Sequence, residues 1–125
     1  MELKPVNGTE LFVQDTGGDA VPVLFSHGLL WSHAMFEDAV QGLKDRYRCI
    51  SYDHRGQGQS AKPRVRAVTI ETVTEDAIAL IESLDIAPCH FVGLSMGGFV
   101  GLRIAARRPE LIRSLVLIST AADPE

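Results

Sequence analysis

Residues 91–98 read Phe-Val-Gly-Leu-Ser-Met-Gly-Gly, so Ser95 stands between Gly93 and Gly97 at a spacing of two on each side. Where a strand turns sharply into a helix, this spacing presents the serine at the apex, and the glycines allow close backbone approach. A hydroxyl so placed is a candidate nucleophile for acyl transfer. The helix that follows begins with unsatisfied N–H groups and a positive dipole end, which suit a developing oxyanion. The N–H of Met96 is the candidate donor. Gly98, Gly101 and Ala105 continue a small-residue face that lets this helix pack tightly on a sheet. A Gly-rich turn joining strand to helix would share this composition without its chemistry.

Two clusters upstream bear on the same chemistry. His27-Gly28-Leu29-Leu30 follows a short apolar run, and such a turn can aim the Leu29 N–H at the oxyanion position beside that of Met96. His27 reads as a buried, hydrogen-bonded structural histidine. Leu30 and Trp31 are candidates to line a substrate pocket, with a core role for Trp31 equally open. The second cluster, Asp53-His-Arg-Gly-Gln-Gly-Gln-Ser60, contains Gly-x-Gly but neither GxGxxG nor GK[ST], which argues against a phosphate loop. Asp53 and His54 could be the acid and base of a triad, since triads occur in several chain orders.

These residues need elements to hold them. Glu10–Thr16 alternates like an antiparallel strand with one wet face, and Gly17-Gly18-Asp19 turns it. Val21–Ser26, Arg48–Tyr52, His90–Leu94 and Ser114–Ser119 are short and apolar almost throughout, as parallel strands covered on both faces are. Between them, Ala34–Lys44 and Thr69–Leu84 repeat apolar residues at helical spacing, with Thr69 as N-cap of the second. A third helix is predicted from Met96 to about Arg107, ending near Pro109. The order implies βαβ units with right-handed crossovers, a three-layer α/β/α unit on a mainly parallel sheet. At 125 residues the chain reads as a single soluble globular unit.

Composition narrows the classes. A net charge of −4 and a pI near 5.5 argue against nucleic acid as a partner. Arg103, Arg107 and Arg108 read as a solvated helix face. No apolar run approaches the ~20 residues of a membrane span, and MELKPVNGTE lacks the apolar region of a signal peptide. Cys49 and Cys89 show neither CxxC nor metal-ligand spacing and are read as buried thiols of a cytoplasmic protein. Nothing calls for a metal or a cofactor.

Taken together, HGLLWSH, DHRGQGQS and VGLSMGG resemble the α/β-hydrolase superfamily in order and spacing. The nearest branch is that of small serine esterases and lactonases, including oxoadipate enol-lactonases. The resemblance implies Ser95 as nucleophile and Leu29 and Met96 as oxyanion-hole donors. It makes the DxRGxGxS loop structural, and with it Asp53, Arg55 and Gly56, alongside His27, Gly28, Gly93, Gly97 and Gly98. Dehalogenases and epoxide hydrolases of similar sequence carry an aspartate where Ser95 stands, so a serine implies an acyl-enzyme.

The sequence departs from the family pattern after the serine. The family's order is Ser, acid, His, yet His27, His33, His54 and His90 all precede Ser95. Of the later acids Glu110, Asp123 and Glu125, Asp123 is the candidate, set against an ordinary Asp-Pro turn. The resemblance implies that the chain is the N-terminal part of the fold, strands one to six of eight. Cap, last strands, acid and histidine would then lie elsewhere, and the isolated chain would be inactive. Two expectations follow. One is a hydrolase of a small ester or lactone, completed by a C-terminal segment or associated with itself. The other is a non-catalytic, truncated hydrolase-fold or binding module.

Overall fold

A computed structural model describes residues 2–28, 32–58, 60 and 69–119. The chain runs β1 (Glu2–Val6), β2 (Thr9–Asp15), β3 (Pro22–Ser26), α1 (Glu37–Leu43), β4 (Arg48–Tyr52), α2 (Ile70–Leu84), β5 (Cys89–Leu94), α3 (Met96–Arg107) and β6 (Ile112–Ile118). Single turns of 3-10 helix at His33–Phe36 and Pro109–Leu111 lead into α1 and β6. The six strands make one sheet in the order β1-β2-β4-β3-β5-β6. From β4 to β6 all neighbours are parallel, whereas β1 and β2 are antiparallel additions at one edge. This is the α/β architecture expected from the alternation of strand and helix.

Alternate residues of the inner strands serve opposite faces. Leu24, Ile50 and Phe91 join Val73, Ala77, Leu80 and Ile81 of α2 and Val100 and Ile104 of α3 in the larger core. Val23, Phe25 and Cys49 pack on the other face against Phe36 and Val40. Period two in the strands and near 3.6 in the helices therefore meet as three layers. Thr69 caps α2, its Oγ1 accepting the Thr72 N–H at 3.1 Å. Exposed ion pairs of Arg107 with Glu71 and of Arg108 with Glu82 link α3 to α2.

Some details differ from the sequence reading: the helix expected over Ala34–Lys44 is a 3-10 turn followed by α1 at Glu37–Leu43. Strand β1 was not foreseen, because Pro5 interrupts its pattern. The sequence does carry the hairpin signal: Asn7 and Gly8 both take positive φ, 46° and 76°, between paired Val6 and Thr9. The last strand starts two residues earlier than Ser114 and ends at Ile118. It lies at the sheet edge with Val116, Leu117 and Ile118 38–47% exposed. Among the described residues, no helix is long and apolar enough to cross a membrane.

A buried charge on α2 has no counterpart in the sequence reading. Asp76 is 2% exposed and accepts from Arg55 Nε (2.9 Å) and Nη2 (2.8 Å) and from Asn7 Nδ2 (2.9 Å). Arg55 also reaches the Asn7 carbonyl at 2.9 Å. The triad thus pins α2 to the β1–β2 hairpin and to the loop after β4. Removing one partner of such a pair strands the other, which usually costs about 3–5 kcal/mol. Because the Arg55 side chain keeps 18% exposure, Asp76→Ala is expected near the lower figure in urea unfolding, about 3 kcal/mol. A loss below about 1 kcal/mol would show that the triad contributes no more than a surface pair.

Candidate active site

Strand β5 ends at Leu94 and α3 begins at Met96, leaving the whole change of direction to Ser95. Its backbone takes φ 51° and ψ −110°, a conformation that costs an ordinary residue about 1–3 kcal/mol. The surroundings enforce it. The Ser95 N–H donates to the Ile118 carbonyl at 2.9 Å, and the Ser95 carbonyl accepts from the Phe99 N–H at 3.1 Å. A Cβ at Gly93 would lie 2.5 Å from the Gly97 oxygen, and one at Gly97 only 2.0 Å from the Ser26 oxygen. At Gly101 it would meet Leu115 Cδ1 at 2.6 Å and Phe91 Cδ1 at 2.9 Å. Gly97, Gly98 and Gly101 are all buried on the face of α3 that meets the sheet. Met96 is the first residue of α3, so its N–H has no acceptor within the helix.

Gly28 follows β3 directly beside this turn, where a Cβ would sit 3.6 Å from that of Ser95. The structure thus brings the His27-Gly28 turn and the serine together. Leu29, Leu30, Trp31 and Asp123 lie outside the described residues.

Both ring nitrogens of His27 are engaged. Nε2 accepts the His54 N–H at 2.9 Å, so the proton resides on Nδ1, which donates to the Gly28 carbonyl at 2.6 Å. His54 donates from Nε2 to the His27 carbonyl at 2.9 Å, with Ser26 Oγ at 3.3 Å. The two rings meet edge to face, centroids 4.2 Å apart. Burial depresses the pKa of both, that of His54 to about 3. This is a neutral pair that holds backbone.

Asp53 does not orient His54. Its carboxylate accepts the backbone N–H of His33 at 2.6 Å and the His33 Nδ1 at 2.8 Å. Gly58, at φ 53°, presses on that carboxylate so closely that a Cβ would lie 2.4 Å away. Ser60 Oγ donates to the Asp53 carbonyl at 2.6 Å and accepts the Phe12 N–H at 2.8 Å. Gly56 turns the loop at φ 77°. The loop is therefore tied to His33, one end of the segment that starts at His27. No sequence signal marked His33 for this part. Among the described residues, no group of three or more His, Cys, Asp and Glu is placed to hold a metal ion.

Residues 21–125 match the family model described as alpha/beta hydrolase fold, and the chain belongs to that family. It is 36% identical over 111 residues to a putative carbamate hydrolase, RutD, of Agrobacterium fabrum, covering 87% of this chain and 42% of the relative. It is 34% identical over 116 residues to 3-oxoadipate enol-lactonase 1 of Acinetobacter baylyi, covering 92% and 43%. The crystal structure of the enol-lactonase from Burkholderia xenovorans LB400 superposes with a TM-score of 0.90 at 38% identity, covering 97% of this chain and 47% of that one. The chain therefore spans less than half the length of these relatives.

The neutral histidines make stability depend on pH. Their folded-state values lie below the ordinary 6.5, so as pH falls the unfolded chain takes up protons first. The stability they contribute is complete above about pH 6.5 and is lost progressively toward about pH 3. Urea midpoints across this range should fall more steeply for the native sequence than for His54→Asn. Equal slopes would place the acid sensitivity elsewhere.

Proposed function

We propose that Ser95 is the nucleophile of a serine hydrolase that acts on a small carboxylic ester or lactone through an acyl-enzyme. The observation that carries this reading is the Ser95 turn itself. A non-glycine residue is held at φ 51° between β5 and α3 by contacts that leave no room for a side chain at Gly93 or Gly97. A helix gains nothing from such strain, whereas a nucleophile gains an exposed Oγ beside the helix N-terminus.

In this mechanism Ser95 Oγ attacks the acyl carbon and its proton passes to a base. The oxyanion is received by the N–H groups of Met96 and Leu29, the alcohol leaves with that proton, and water then cleaves the acyl-enzyme. The relatives' names, carbamate hydrolase and enol-lactonase, both fit attack at an acyl carbon. Leu30 and Trp31 would line the acyl pocket. No step calls for a cofactor.

The base is assigned to a histidine beyond residue 125, in a segment that also supplies the cap, the remaining strands and an acid, with Asp123 the acid candidate within the chain. Two features support this. His27 and His54 are spent on backbone partners, and the chain covers only 42–43% of the relatives' length. Strand β6 also offers an apolar, exposed edge of the kind that a further strand, or a second copy, would cover. Both thiols are free and buried, and burial raises them, that of Cys89 to about 11, so neither competes with Ser95 as nucleophile. The engaged histidines equally favour a second reading, a hydrolase-fold module without catalysis.

A fluorophosphonate probe separates the two. The full-length protein should label at Ser95, and Ser95→Ala should abolish labelling and esterase activity together. Residues 1–125 alone should label at least about a hundredfold more slowly, the share a positioned base contributes. A full-length protein that resists the probe would establish the non-catalytic reading. Rapid labelling of residues 1–125 would mean that a histidine within them acts as base.

A further inference from the structure

The turn between β1 and β2 is Asn7-Gly8, a dipeptide prone to losing its side-chain amide to its own backbone. The Gly8 nitrogen attacks Asn7 Cγ, ammonia leaves with the proton that this nitrogen gives up, and a five-membered imide forms. Water then opens the imide at either carbonyl, giving aspartate or, with the chain rerouted through Cβ, isoaspartate. Glycine favours the attack because it has no Cβ to hinder its nitrogen. Both residues are exposed, and a Cβ at Gly8 would meet nothing within 4 Å, so water reaches them freely.

Exposure alone does not permit the reaction. Asn7 and Gly8 both take positive φ, 46° and 76°, between paired Val6 and Thr9, which makes a two-residue turn of type I′. The first residue of such a turn keeps ψ near about +30°. That sets the Gly8 nitrogen almost opposite the Asn7 Cβ, and ring closure requires the bond to swing by well over a right angle. Two hydrogen bonds resist the swing: Asn7 Nδ2 donates to Asp76 Oδ1 at 2.9 Å, and the Asn7 carbonyl accepts from Arg55 Nη2 at 2.9 Å. The turn must therefore leave α2 before it reacts. It is lightly held, because β1 is an edge strand in which only Val6 is buried. Such edges open locally at a lower cost than the core does.

The product does not fit the position that the amide vacates. The Asn7 amide is a donor facing a carboxylate that is 2% exposed. An ionised carboxyl group only accepts, so hydrolysis sets two carboxylates against each other with Arg55 shared between them. Isoaspartate also lengthens the backbone by one atom, for which a two-residue turn has no room. We propose that Asn7 is a deamidation site guarded by the folded hairpin, and that its hydrolysis locks the hairpin away from α2. Each opening long enough to close the ring is thereby recorded permanently in the chain.

Both halves are tested in the full-length protein. For the guard, samples are held at mildly alkaline pH in buffer and in guanidinium chloride, and the Asn7 peptide is followed by mass spectrometry with isoaspartate resolved by chromatography. Conversion should be at least about tenfold slower in buffer. Asp76→Ala, which frees the turn, should speed conversion in buffer by about threefold or more, whereas Ile104→Ala, a core change on α3, should not. No conversion in guanidinium chloride would overturn the site. Equal rates in the two solvents, or equal acceleration by Ile104→Ala, would overturn the guard.

For the lock, Asn7→Asp is compared with Asn7→Gly. Asp-Gly and Gly-Gly both suit the turn, but the first carries the product's carboxylate and the second carries no side chain. Asn7→Asp should have the lower urea midpoint, even though glycine gains more from a looser unfolded chain. A midpoint equal to or above that of Asn7→Gly would mean that Arg55 accommodates the second carboxylate, and the lock would fail. An Asn7→Asp protein that does not fold where Asn7→Gly does would be the predicted effect at its extreme.

Discussion

Helix α3 meets the end of β3 so closely that a methyl group on Gly97 would lie 2.0 Å from the Ser26 carbonyl oxygen. Everything at the candidate site follows from that approach. It sets α3 directly on the sheet, which compresses the β5-to-α3 connection into one residue and forces Ser95 to positive φ. It also brings the turn after β3 beside Ser95, with Gly28 lying against Leu94 and the serine. The strain of Ser95 is small beside the burial that α3 achieves with Val100 and Ile104 fully covered, so the fold can sustain it.

Around this contact lies a layer of buried polar groups that do structural work near reactive positions. His27 and His54 exchange hydrogen bonds with each other's backbone and hold β3 and β4 together where those strands end. Asp53 fixes His33, and Arg55 with Asp76 fixes the loop to α2. Buried side-chain polar atoms among the described residues all find partners. Such satisfaction is what allows ionisable groups to sit in a core, and it suits them to orient backbone rather than move protons.

The serine turn was legible in the sequence because its glycines are required by local sterics, and steric requirements leave a fixed spacing. Thr69 and the bounds of β4 were legible for similar reasons, a cap and an apolar run being local signals. The rest depended on partners distant along the chain. No local signal marks Asp76, because its partners Arg55, 21 residues away, and Asn7, 69 away, are distant along the chain. The residues alone left Asp53 and His54 open as an acid–base pair. They are adjacent, yet Asp53 turns to His33 and His54 to His27. Strand β1 was hidden by Pro5, which an edge strand tolerates because one side of its backbone needs no partner.

The account stands or falls on the contact at Gly97, and Gly97→Ala measures it with a single methyl group. Backbone atoms cannot yield as a flexible side chain would, so α3 must lift from β3. Urea unfolding should then show a loss at the top of the range for overpacked cores, about 3 kcal/mol or more, or no cooperative transition at all. A Gly97→Ala protein with native stability would contradict the account, because α3 would then not be pressed onto the Ser26 carbonyl.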